Sequence, residues 1–473
     1  YKCNTIHDTI KWFDPRVSKE LEIKSQGLDL IDLDVKRIAL GLNENEDIIF
    51  HKSPMVTAKS IEKHSSKDAE KWMDFIEHVN GLTKFLEQLY KLTPPELPNV
   101  GLMDLFSMRS LMGPILKQGT QGLVNLVRTA PMMMPEFMDE WFESELLRSA
   151  LSSAGINNLS YGPYASATGY NFLHQHLYNK GIIHNSSVVK GGTGNLPQTL
   201  KKILELYNVD IKTNSKVTSI NIKNKVCKSV SIANGDIIIS DQVISGLDPN
   251  NTFINLVGAQ NLEPNFHTQI SNIKYRGSTA RIHFALKEIP EIQGVTDDYM
   301  STLFSISPSM KYIEKASDAV KYGTISNNPY VEFSIPTILN PEFSNEGKHV
   351  LSVSVQYAPY HLRNCEWDSK LKNKLCKNTI QVLEKKIPYF SNLIEETFIY
   401  SPKDLENEFG LTEGNLSHGE MTLDQILFMR PTASSSQYST PFENLYICGS
   451  GTHPGAGIHG MNGYNAAKKV LDS

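Results

Sequence analysis

The chain has 473 residues, 40% of them hydrophobic and 21% charged, with a formal net charge of -5 at pH 7. That length suffices for two or three domains, or one interleaved pair, around a sizeable core, and the composition is that of a globular protein. The acidic balance excludes a nucleic-acid binder, because no strongly basic face can be built from it.

The five cysteines, Cys3, Cys227, Cys365, Cys376 and Cys448, are scattered and form no CxxC pair. They suggest neither a disulfide framework nor a thiolate metal site, and no metal is expected. A reducing compartment, cytosol or mitochondrial matrix, follows. No apolar run reaches the roughly 18 residues of a spanning helix, and the first residues lack the pattern of a signal peptide.

Residues 63–92 place Trp72, Phe75, Ile76, Val79, Leu82, Phe85, Leu86 and Leu89 three and four apart. This predicts one long amphipathic helix within a mostly helical segment 1–187. A Met-rich stretch follows, with Met103, Met108, Met112, Met132, Met133, Met134 and Met138. Methionine's pliable side chain suits an adaptable helical core, or an apolar lid able to touch a membrane surface. In FLHQHLY, His174 and His176 would share a face if the segment were a strand, but two histidines alone make a poor metal site.

Residues 188–208, VVKGGTGNLPQTLKKILELYN, read as a Gly-rich turn, an N-capping Asn195 and a helix with Pro197 in its first turn. Alternation then predicts a strand through Val217, Ile220 and Ile222, a hairpin closed at Asn234–Gly235, and a further strand in DQVISGLDP. Beyond residue 256, STARIHFAL and HVLSVSVQYA read as strands and residues 370–387 as a helix. Lys274, Arg276 and Arg281 read as solvated or loop-anchoring charges. Asp404, Glu406 and Glu408 read as an exposed helix start, and Arg430 as a residue able to approach a bound cofactor.

The chain ends on the strand NLYIC, a glycine run and a helix. Six of 30 glycines fall between Gly449 and Gly463. Glycine serves where φ is positive or where another group must lie directly against the backbone. A strand, a bare turn and a helix start together make a site for an anion or for the electron-rich edge of a flat ring. GAGIHG matches GxGxxG, but too few residues follow to build a dinucleotide unit around it. His453 and His459, inside the run, read as packing or hydrogen-bonding residues, and no catalytic residue is assigned.

The segment YICGSGTHPGAGIHGMNGYNAA resembles the C-terminal flavin motif of the phytoene desaturase (carotenoid oxidoreductase) family, within the amine-oxidase-like flavoproteins. VVKGGTGNLPQTL followed by VDIKTNSKV is similar to that family's internal segment. DEWFESELLRSAL, GKHVLSVSVQYAPYHL, SPKDLENEFGLTEGNLSHGE and MRPTASSSQYSTP resemble the branch of pyridine nucleotide-disulphide oxidoreductase domain proteins. The resemblance implies an α/β, two-domain FAD-dependent oxidoreductase fold with interleaved parts. These are a mostly helical substrate or lid region at 1–187, FAD-binding segments at 188–255 and 436–473, and a substrate domain at 256–435. It implies FAD as cofactor and an apolar, isoprenoid or lipid-like partner, with peripheral membrane contact conceivable and the oligomeric state open.

By the same resemblance, Val217 would touch the adenine side through its backbone. Gly449, Ser450 and Gly451 would approach the pyrophosphate and ribityl chain, and Gly457, Ile458 and His459 the flavin's pyrimidine edge. The family's opening GxGxxG βαβ unit has no counterpart in these residues, so the expectation is that they hold FAD poorly by themselves. A non-catalytic interaction protein on the same fold, and an amine oxidase-like enzyme, are the alternatives.

Overall fold

The computed structural model describes residues 1–43, 46–94 and 112–472. Met103, Met108 and the side chain of Met112 lie outside the described residues. The strands are β1 (Thr9–Ile10), β2 (Leu30–Ile31), β3 (Val35–Leu40), β4 (Ile48–His51), β5 (Ser187–Val189), β6 (Val217–Lys223), β7 (Val226–Ile232) and β8 (Ile237–Ile239). They continue as β9 (Val243–Ser245), β10 (Thr279–Leu286), β11 (Leu303–Ile306), β12 (Tyr330–Ser334), β13 (His349–Gln356), β14 (Ile394–Tyr400) and β15 (Leu445–Ile447).

The predicted helix over 63–92 spans Ser66–Lys91, capped by the Ser65 hydroxyl. Its stripe buries Trp72, Phe75, Val79, Leu82, Phe85 and Leu86 in a largely helical core, together with Met134 and Met138 and with Ala39, Ile48 and Phe50 of β3 and β4. Those two methionines are core residues. The segment 1–187 is not wholly helical, however: β3 and β4 add to the edge of the largest sheet. Arg37 and Lys36 break the apolar pattern of β3, and both are buried because carboxylates, Glu332 and Asp32, meet them.

That sheet has seven strands in the order β14-β10-β13-β12-β11-β3-β4. Period-two alternation gives it two unlike faces. Ile282, Phe284, Val353, Val355, Phe333 and Phe304 join one apolar core, closed by Leu375, Val382 and Leu383 of the helix Ser369–Leu383. The other face carries Thr279, Arg281 and His283 on β10, Ser352 and Ser354 on β13, and Glu332 on β12. Register aligns Arg281 with Ser354, Ser354 with Glu332, and Glu332 with Ser305, a polar row across four strands.

β9 and β15 pair in parallel, which joins the segment ending near residue 250 to the C-terminal one. The hairpin between β7 and β8 turns at Asn234–Gly235, with Gly235 at φ +95°. From β15 the chain passes through the glycine run into the helix Met461–Leu471. FLHQHLY is mostly helical, within Thr168–Gln175, so His174 and His176 do not share a face. All five cysteines are free, and among the described residues no helix is long and apolar enough to cross a membrane.

Candidate active site

A cavity of about 340 Å³ lies between the C-terminal loop 455–459 and the polar face of the seven-stranded sheet. Ser450, Ala456, Gly457, Ile458 and His459 form one wall, and Thr279, Arg281, Glu332 and Ser354 the other. The segment carrying His7, Lys11 and Trp12 closes the space between them.

Two imidazoles hold the loop from behind. His174 Nε2–H donates to the Ala456 carbonyl at 2.6 Å, and His459 Nε2–H donates to the Gly455 carbonyl at 3.2 Å. A carbonyl only accepts, so each tautomer is fixed. His459 Nδ1 then accepts from the Met461 amide, and His174 Nδ1 from the Tyr90 hydroxyl. Tyr90 in turn accepts from Tyr170 at 2.7 Å. Trp12 stacks flat on His459, with ring centroids 4.3 Å apart, and its indole N–H donates to the His174 carbonyl. Burial pushes His174 down to about 3 and His459 down to about 4, so both rings are neutral near pH 7.

The result is a fixed stretch of bare backbone. Gly455 and Gly457 sit at φ +122° and +134°. Among the described residues, the amides of Gly457 and Ile458 have no hydrogen-bond partner, and both residues line the cavity. Unpaired donors at a cavity wall are what a ring with an electron-rich edge requires. The residues present therefore fit the flavin that the sequence resemblance implies. The helix itself starts two residues past His459, so its dipole lies behind the loop rather than within it.

The other expected site residues divide. Ser450 lines the cavity, and its carbonyl is gripped by Arg430 Nε at 2.9 Å and Nη2 at 2.7 Å. Arg430 also bonds the carbonyls of Ser417, Gly419, Glu420 and Gln425, and burial lowers it to about 10. It orders the loop backbone instead of reaching into the cavity. Gly449 and Gly451 lie outside the lining. A Cβ on Gly449 would come 2.8 Å from the Gly246 carbonyl oxygen, and one on Gly451 would come 2.7 Å from Pro249. Their bareness is thus used by the crossing chain after β9. Val217 begins β6, opposite Ile232, and is also outside the cavity lining. His453 is buried without a side-chain partner and is lowered to about 4.

Several residues of the cavity were not anticipated. Arg281, read as a solvated or loop-anchoring charge, is buried on β10 and pairs with Asp8, whose carboxylate also accepts from Ser334 at 2.9 Å and Asn4 at 3.0 Å. Glu332 pairs with Arg37 at 2.9 Å and accepts from Tyr330 at 2.5 Å. Lys11 donates to Gln175 at 2.7 Å and, among the described residues, has no ion-pair partner. Burial lowers its ammonium to about 8. His7 lines the same cavity as Arg281 and Lys11. Lys274 and Arg276, by contrast, anchor loops through Asp424 and Glu420.

No family model matches the chain. It is 28% identical over 482 residues to the rat pyridine nucleotide-disulfide oxidoreductase domain-containing protein 2, covering 97% of this chain and 83% of that protein. It is 23% identical over 403 residues to a lycopene-forming phytoene desaturase of a Paracoccus species, covering 82% and 76%. A redesigned putrescine oxidase superposes with a TM-score of 0.57 at 11% identity, over 98% of this chain and 87% of the other. This is the amine-oxidase-like oxidoreductase fold. In this chain the cavity occupies the seam where the C-terminal loop faces the large mixed sheet.

Proposed function

We propose that the protein is an FAD-dependent oxidoreductase that removes hydride from a lipid-like substrate held in the cavity. The observation that carries this reading is the pair of unpaired Gly457 and Ile458 amides on the cavity wall, in a loop that His174 and His459 hold through the Ala456 and Gly455 carbonyls. A pure interaction scaffold has no use for such donors. Gly457, Ile458 and Ser450 would hold the ring and its neighbouring chain, and FAD, when bound, supplies the hydride acceptor. Charge developing at the ring edge is met by preset amides that need no reorganisation.

Ile6, Ile10, Leu405, Leu411, Leu416 and Met421 give the substrate an apolar wall. That supports a lipid-like body and keeps water from the reacting carbon. His174 and His459 have both nitrogens committed and are neutral, so neither serves as a general base. The exposed Leu123, Val124 and Val127 on the helix Met112–Thr129 support a peripheral membrane contact.

The test is the visible spectrum of the protein at its natural length, mixed anaerobically with apolar and amphipathic compounds. Bound flavin bleached by one of them is the expected result. Protein that takes up no FAD in a calorimetric titration contradicts the proposal.

A further inference from the structure

Taking the cavity as the substrate site, as above, we infer that the substrate carries a monoanionic head group, a carboxylate, which docks between Lys11, Arg281 and Thr279. The cavity has two chemically unlike sides. One is built from Ile10, Leu405, Leu411, Leu416 and Met421; the other is the polar row of the seven-stranded sheet. A hydrocarbon would gain nothing from that row and would strip water from it without replacing the lost hydrogen bonds.

The row itself is incomplete. Thr279 and Arg281 line the cavity, and their Oγ1 and Nε atoms, just beneath its surface, have no hydrogen-bond partner among the described residues. Thr279 and Arg281 are 7% and 8% exposed, so bulk water does not serve them. They stand two residues apart on β10 and therefore point to the same side of the sheet. Buried donors left unmade are costly, and a small side-chain shift toward the cavity would let a ligand acceptor satisfy them.

Charge points the same way. The carboxylates in this region are already engaged: Asp8 with Arg281, Ser334 and Asn4, and Glu332 with Arg37 and Tyr330. Lys11 is the cation left over: among the described residues it has no ion-pair partner and donates to the neutral Gln175 amide. His7 adds no charge near pH 7, because the two cations beside it disfavour its protonation. Three cations against two carboxylates leave one unit of positive charge, which matches one carboxylate. A phosphate would bring more negative charge than the wall offsets, and an ammonium would be repelled.

The experiment is calorimetric titration of the protein at its natural length with decanoate, decanol, decylamine and decyl phosphate, run without and with FAD. Decanoate should bind at least about tenfold tighter than decanol or decylamine, as a charge-assisted contact in a buried site requires. Lys11→Gln should bring the decanoate-to-decanol ratio down to about one, and Thr279→Val should lower decanoate affinity by about threefold. Near-UV circular dichroism establishes that each variant is folded, and either variant alone decides the matter. Equal binding of decanoate and decanol, tighter binding of the amine or the phosphate, or an unchanged preference in a folded variant overturns the assignment. Decanoate preference without FAD uptake would refute the redox reading and leave the head-group assignment standing. FAD uptake without decanoate preference would do the reverse.

Discussion

His174 gives the sharpest quantitative expectation. Its ring is buried and neutral, with Nε2–H bonded to Ala456 and Nδ1 to Tyr90, and its pKa falls from 6.5 to about 3. Between those values the unfolded chain binds a proton at this position and the folded chain does not. Stability from this group is therefore complete above the unfolded pKa and is lost as pH falls from about 6.5 toward about 3. Moving from about pH 7 to about pH 5 should remove about 2 kcal/mol, from 1.36 kcal/mol per unit over about 1.5 units.

A His174→Gln variant keeps one donor and one acceptor but does not titrate. Urea unfolding of both proteins, followed by tryptophan fluorescence, measures the difference in stability at each pH. The gap favouring the wild type should shrink by about 2 kcal/mol on going to about pH 5. A gap that stays constant, or widens, would show that the ring is charged in the native state, and the described hydrogen bonding of the loop would be wrong.

Gly457→Val introduces a β-branched side chain at φ +134°, with its Cβ 2.8 Å from the His459 ring. FAD affinity should fall by about tenfold or more while far-UV circular dichroism stays unchanged, because the strain is confined to the loop. Arg430→Met strands five backbone carbonyls that the guanidinium now serves. Urea unfolding should show a loss of roughly 3–5 kcal/mol. Asp68→Ala removes the buried carboxylate that accepts from the Glu143 and Ser144 amides at 2.9 and 2.8 Å. A stability loss of roughly 2–4 kcal/mol is expected in the same assay, since two amides lose a charged acceptor.

What could be read from residues alone followed local physics. The stripe from Trp72 to Leu86 and the alternation of β10 and β13 are short-range patterns. So is the Asn234–Gly235 turn, and the structure contains all of them. The helix expected at Asn195 starts on that residue, with Gly194 as its cap. β3 was missed because Lys36 and Arg37 look solvent-facing until partners from distant segments bury them. The role of His174 was hidden for the same reason: Ala456, whose carbonyl it holds, lies 282 residues away in sequence. Arg281 alternates correctly with Ala280 and Ile282, yet nothing local shows that its side of the sheet floors a cavity and not the surface. Gly449 and Gly451 show the converse. The glycine run was legible, but which glycines serve a ligand and which serve Gly246 and Pro249 is decided by a chain crossing that no motif records.

The most direct measurement is hydrogen–deuterium exchange of the segment 455–459, with and without FAD. Its Gly457 and Ile458 amides are unpaired and should exchange fast in the free protein, then slow by at least about tenfold when FAD is added. FAD that binds and leaves this segment's exchange unaltered would put the flavin elsewhere and contradict the account.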